Sequence, residues 1–190
     1  IVEGTNIDRD DGREYWDEKR IENEFVSIIR KTKGRVFVSC ASQNIDRLVS
    51  IFRAAKRSEV PFIIDIHTAK FLSVINALRP SIPSAYWKEI KMLVTPRLYL
   101  RMKKNDDMPF LDALRLKKQS LNIWSLSQLN GKAVILARDS MIPDFQNKGL
   151  KLSPEDSWCW SMWVGYQKKD SNRQLIKWFA DTGIAPVTVH

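Results

Sequence analysis

The stretch GRVFVSCASQNIDRLVSIFRAAKRSEVPFIIDI, residues 34–66, constrains the fold more than any other part of the chain. It sets two short apolar runs, Arg35 to Ser39 and Pro61 to Ile66, on either side of an amphipathic segment whose apolar residues Ile45, Leu48, Val49 and Phe52 recur at helical spacing. Asn44 stands where a helix cap is needed. A strand, a helix of about four turns and a second strand in this order form a β-α-β unit, and such units require a parallel sheet with right-handed crossovers.

The same alternation extends in both directions. Upstream, the opening IVEGT reads as a strand, Asp8 to Arg13 as a polar turn, and Tyr15 to Lys31 as a helix with its stripe at Ile21, Phe25, Ile28 and Ile29. Downstream, a helix is expected from about Thr68 to Leu78, a third core strand at KAVILAR (Lys132 to Arg138), and a last helix through Leu175, Ile176, Trp178 and Phe179. Asp170 is expected to cap that helix, Gly183 to end it, and APVTVH to close the sheet. In SWCWSMWVGY, Trp158, Trp160, Met162 and Val164 alternate as on one face of a strand near an edge. Residues 79–128 are less regular. Pro80, Pro83 and Pro96 punctuate them, a helix is expected at Ala85 to Leu93, and RLYLRMKKNDD reads as a strand or a surface loop.

The expected architecture is therefore α/β, a Rossmann-like three-layer fold with a mainly parallel sheet, in a single domain spanning residues 1–190. At 190 residues, 44% hydrophobic and 28% charged, the chain can bury one substantial core. No apolar run reaches the roughly 18 residues that a membrane-crossing helix needs. No signal-peptide pattern is present, so a cytoplasmic protein without a membrane partner is expected. Cys40 and Cys159 lack metal-type spacing and read as buried free thiols. The net charge of +9 points to a phosphate-bearing or anionic partner.

In an open parallel sheet, ligands bind at the carboxyl ends of the strands. The residues there are Glu3, the turn Ser39 to Arg47, Asp65 to Thr68, Arg138 to Ser140, and His190. The turn SCASQNIDR joins small hydroxyl residues to a helix N-terminus, which favours an anion, and Arg47 could add a bidentate phosphate contact. It contains no glycine, so neither a dinucleotide nor a Walker-type triphosphate loop is indicated. Asp65 and His67 could share one side of a strand; alternatively Asp65 caps the next helix and His67 bonds to backbone. Glu3 and His190 could pair if their strands are neighbours. The clusters Arg97, Arg101, Lys103, Lys104 and Arg115, Lys117, Lys118, with Tyr99 or Phe110 for stacking, could meet nucleic acid or form a solvated face.

IVEGTNI, GRVFVSCASQNIDRLVSIFRAAKRS, IIDIHTA, VILARDSM, SMWVGY and GIAPVTVH, in this order and spacing, resemble the β-CASP cap of the metallo-β-lactamase superfamily, in particular its ribonuclease J-like, RNA-processing members. The resemblance implies that Glu3 is the acidic residue that orients an active-site histidine, and that His190 begins a histidine motif and reaches phosphate at the edge of the active site. It further implies that Ser39, Ser42, Asn44 and Arg47 lie near the phosphates of a bound strand; Arg138 and Ser140, from their place just past a strand, are expected phosphate contacts as well. The family's zinc ligands belong to a lactamase half outside this sequence. This chain is thus expected to be a cap domain of a larger protein, binding no zinc and hydrolysing nothing alone, while the zinc-dependent parent hydrolyses nucleic acid. Single-stranded RNA and the lactamase half of the same protein are the partners implied. Two other readings are a nonenzymatic interaction module, and the cap of a hydrolase acting on something other than nucleic acid.

Overall fold

The computed structural model describes residues 16–106, 108–122, 126 and 132–190. The strands are β1 (Val36–Ser39), β2 (Phe62–Ile64), β3 (Ile90–Val94), β4 (Ser120–Asn122), β5 (Val134–Leu136), β6 (Ser157–Trp160) and β7 (Pro186–Thr188). They form one seven-stranded sheet in the order β4-β3-β2-β5-β1-β6-β7, and every pairing is parallel. The helices are α1 (Glu18–Lys31), α2 (Ile45–Arg57), α3 (Ile66–Leu78), α4 (Pro96–Lys104), α5 (Met108–Leu116), α6 (Ile142–Asn147) and α7 (Arg173–Ala180). The expected α/β class with a three-layer, Rossmann-like arrangement is what the chain adopts. The opening IVEGT, with Glu3, lies outside the described residues.

Alternate side chains of each central strand enter opposite cores, as the period of two requires. Val36, Val38, Phe62, Ile64, Val134 and Leu136 face α1, α2, α3 and α5. Phe37, Ile63, Ile135, Trp158 and Trp160 face α6 and α7. The second core is aromatic: Trp158 stacks on Phe179 at 4.4 Å, and Phe37 meets the Trp178 ring edge-on at 5.7 Å. Strands covered on both faces read as continuous apolar runs, which is why VFVS and VIL stand out in the sequence.

Local chemistry fixes most of the helix starts. Asp17, Asn44, Asp65 and Thr95 each accept a first-turn N–H with their side chain, and Pro96 occupies the first position of α4, where no N–H is missed. At the amino end of the sheet, Asp156 binds the Arg35 guanidinium at 2.6 Å and the Arg35 N–H at 2.7 Å. Gly34 passes so close that a Cβ there would lie 2.5 Å from Asp156 Oδ1.

Three expectations are corrected. Residues 85–89 form turns, and the run after them is β3: Ile90, Lys91, Met92, Leu93 and Val94 pair with β2 and β4 rather than ending a helix. RLYLRMKK is neither strand nor loop but α4, since Thr95 and Pro96 form a helix start and Leu98 and Met102 lie one turn apart on its inner side. Finally, the strand in SWCWSMWVGY ends at Trp160. Beyond it, Val164–Lys168 is a 3-10 turn, so Met162 and Val164 do not continue the strand face; β6 itself lies near the edge as expected, with only β7 outside it.

Candidate functional site

β1 and β5 are neighbours whose connections diverge. The chain leaves β1 through α2 toward β2 on one face, and leaves β5 through α6 toward β6 on the other. Diverging connections open a crevice beyond the carboxyl ends of the two strands. A cleft of about 400 Å³ lies there, lined by Cys40 to Gln43 after β1, Ala137 to Ser140 after β5, Met162 after β6, and Ser171, Asn172 and Leu175 at the start of α7.

The wall supplied by β5 is held rigidly. Arg138 Nη2 lies 2.8 Å from Asp65 Oδ2 and donates to Thr68 Oγ1 at 2.5 Å, so the start of α3 fixes the guanidinium while about a quarter of the side chain stays exposed. Asp65 is itself buried, and it also accepts the His67 and Thr68 N–H groups. It is a cap and a counter-ion, not half of a carboxylate-histidine pair. His67 is exposed instead, its Nε2 3.2 Å from Arg101 Nη1. Asp139 Oδ1 accepts the Leu175 N–H at 2.9 Å, so Asp139, rather than Asp170, caps α7.

The wall supplied by β1 separates the expected residues. Ser42 lines the cleft beside Gln43, and Ser140 lies exposed opposite. Asn44 accepts the Arg47 N–H at 3.0 Å and thereby starts α2. Ser39 does not reach the cleft. Its buried hydroxyl donates to the Ala137 carbonyl and accepts the Trp158 indole N–H at 3.0 Å, joining β1 to β5 and β6. Arg47 is likewise turned inward. It is 5% exposed, donates to Ser161 Oγ and, at 3.1 Å, to the Val189 carbonyl, and pairs with Glu18 at 3.2 Å. A guanidinium so engaged has no face left to clamp a phosphate in the cleft, contrary to the expectation for Arg47. His190 follows the buried Val189 and is exposed. With Glu3 outside the described residues, the proposed pairing of the two has no geometry here.

Burial pushes the thiol of Cys40 up to about 12, against the opposing pull of Arg138 and Arg47, and burial does the same to Cys159. Neither is a thiolate nucleophile near neutral pH. Among the described residues, no three His, Cys, Asp or Glu side chains gather as a metal would require. No helix among them is long and apolar enough to cross a membrane.

The cationic clusters of α4 and α5 are largely occupied. Arg97 pairs with Asp144 at 3.5 Å, the Arg115 guanidinium covers the Tyr99 ring at 5.7 Å, and Lys117 covers Tyr86 at 5.0 Å. Sequence reasoning missed Met162, Ser171 and Asn172, because they face the cleft only through the order of the strands. A usable signal existed after Trp160, where Gly165 and the run QKKDSN end any strand pattern and mark a loop at a carboxyl edge.

Compared with known proteins, the chain matches no family model, and no curated protein matches it.

Proposed function

We propose that the chain positions a single strand of nucleic acid, with RNA as the substrate, across the carboxyl edge of its sheet, and that the β1/β5 cleft receives the phosphodiester backbone. The observation that carries this is the place of the cleft: it opens at the switch point of a parallel sheet, between a braced, partly exposed Arg138 and the hydroxyls of Ser42 and Ser140, next to the N-terminus of α2. From β3 to β6 this edge runs four strand spacings, about 19 Å. Arg101, Arg138, Lys168, Lys169 and Arg173 are distributed along it, on a chain of net charge +9.

Within this reading the chain is a cap of the β-CASP kind. Hydrolysis, with its zinc ions, belongs to a separate lactamase half, and the share of these residues is to bind and orient. Arg138 contributes a fixed donor plane, and the serines contribute donors that rotate to suit a phosphate oxygen.

The test avoids the Asp65–Arg138 pair, whose disruption would leave the buried Asp65 carboxylate without its counter-ion and cost folding stability. Gln43→Glu and Ser140→Asp instead add carboxylates at exposed positions of the cleft. Each is expected to weaken binding of a short oligo(U) RNA by about tenfold or more at low salt, with a smaller effect as salt is raised. For the unaltered chain, log affinity should fall linearly with log salt, by about 0.7 for each phosphate neutralised. Affinity indifferent to both substitutions and to salt would favour an interaction module with no nucleic-acid role.

A further inference from the structure

Beside the cleft, the loop between β6 and α7 displays two large aromatic side chains. Trp163 is 48% exposed and Tyr166 is 39% exposed, although Trp158, Trp160 and Trp178 of the neighbouring core are almost completely buried. The two rings meet edge-on at 5.5 Å with an interplanar angle of 88°.

Their exposure is built in. The indole of Trp163 lies against the backbone of Gly165, where a Cβ would collide with Cζ3 and Cη2 of the ring, so glycine is what allows the ring its seat. The Trp163 carbonyl accepts the N–H of the buried Trp160 indole at 3.4 Å and the Tyr166 N–H at 3.0 Å. The Tyr166 carbonyl accepts Asn172 Nδ2 at 2.9 Å, and Asn172 lines the cleft, so the loop is tied to the cleft wall. The Lys169 ammonium sits 4.3 Å from the Tyr166 ring centroid, with Lys168 next to it in the chain. Half-exposed rings, locked by backbone bonds and bordered by cations, combine the apolar face and positive rim that unstacked bases bind.

We propose that Trp163, supported by Tyr166 and Gly165, is a stacking platform for a base of single-stranded RNA whose backbone occupies the neighbouring cleft. This rests on the reading of the cleft as a phosphodiester site, and it adds why the ligand is single-stranded: a base held in a duplex has no free face to offer. The platform distinguishes a strand with bases from one without, which the cleft alone cannot do.

The experiment compares, on the whole chain, binding of a short oligo(U) RNA with binding of an abasic phosphodiester strand of equal length and charge. Oligo(U) is expected to bind roughly 5- to 150-fold more tightly, the range of one aromatic-base stack. Trp163→Leu should lower oligo(U) to the abasic level and leave the abasic strand unchanged, whereas Trp163→Phe should restore most of the difference. Gly165→Ala keeps both rings but displaces the indole, and should also reduce the preference. Equal binding of the two strands by the unaltered chain, or a Trp163→Leu variant that retains the preference, overturns the platform while leaving the cleft reading intact if Gln43→Glu still weakens both strands. Failure of both strands to bind overturns the cleft reading and the platform together.

Discussion

Cys40 stands at the mouth of the cleft and yet is 5% exposed, with the guanidinium groups of Arg47 and Arg138 acting on its thiol. The charges favour a thiolate and burial opposes it; burial wins, and the thiol is held up at about 12. The sign of the consequence follows from linkage. Cysteine in the unfolded chain ionises near 9.0, so below that pH both states keep the proton and these thiols add no pH dependence. Between about 9 and 12 the unfolded chain releases protons that the folded chain retains, and stability falls as pH rises. Urea midpoints measured from pH 8 to 11 should therefore decline, and Cys40→Ala with Cys159→Ala should make the decline shallower. A double variant with the same slope as the parent would show that other groups set it.

At the scale of elements, Arg47 shows why spacing alone misassigned a residue. A cation one turn into a helix that follows a strand is well placed for phosphate, and the sequence holds nothing to say that Ser161 and the Val189 carbonyl will close over it. Those partners come from the residues just past β6 and β7, more than a hundred residues away in the chain. Arg47 is a fastener between α1, α2 and the last two strands. Arg47→Ala should destabilise the fold by about 1.5–3 kcal/mol in urea denaturation, the range for bonds to a charged group. It should leave oligo(U) affinity unchanged under conditions where the variant is folded. An affinity loss in the fully folded variant would return Arg47 to the site. The elements themselves were far more legible. Helical stripes and apolar runs locate α1, α2, α3, β1, β2 and β5 because burial on one or both sides writes directly into periodicity. β3 and α4 were lost because Ile90 to Val94 is too short for its period to be distinguished from a helix, and because the Thr95-Pro96 start lay between two segments already assigned.

For the molecule as a whole, parallel pairing and right-handed crossovers could be anticipated from β-α alternation, but the strand order 4-3-2-5-1-6-7 could not. That order makes β1 and β5 neighbours, and so brings Ser42, Arg138 and Ser140 to one cleft while Ser39 is consumed beneath it. It also sets the β6–α7 loop at the cleft rim, with its aromatic pair and lysines. Every strand carboxyl end opens on the same edge, so the positive charge gathered there becomes a track rather than scattered contacts. Whether nucleic acid follows this edge is read out by amide chemical-shift mapping with a short oligo(U) RNA, and we expect that it does. The largest perturbations should fall at Ser42, Gln43, Arg138 to Ser140 and residues 162–172. Perturbations concentrated instead on the outer surfaces of α4 and α5, around Lys103, Lys104 and Lys117, would contradict it.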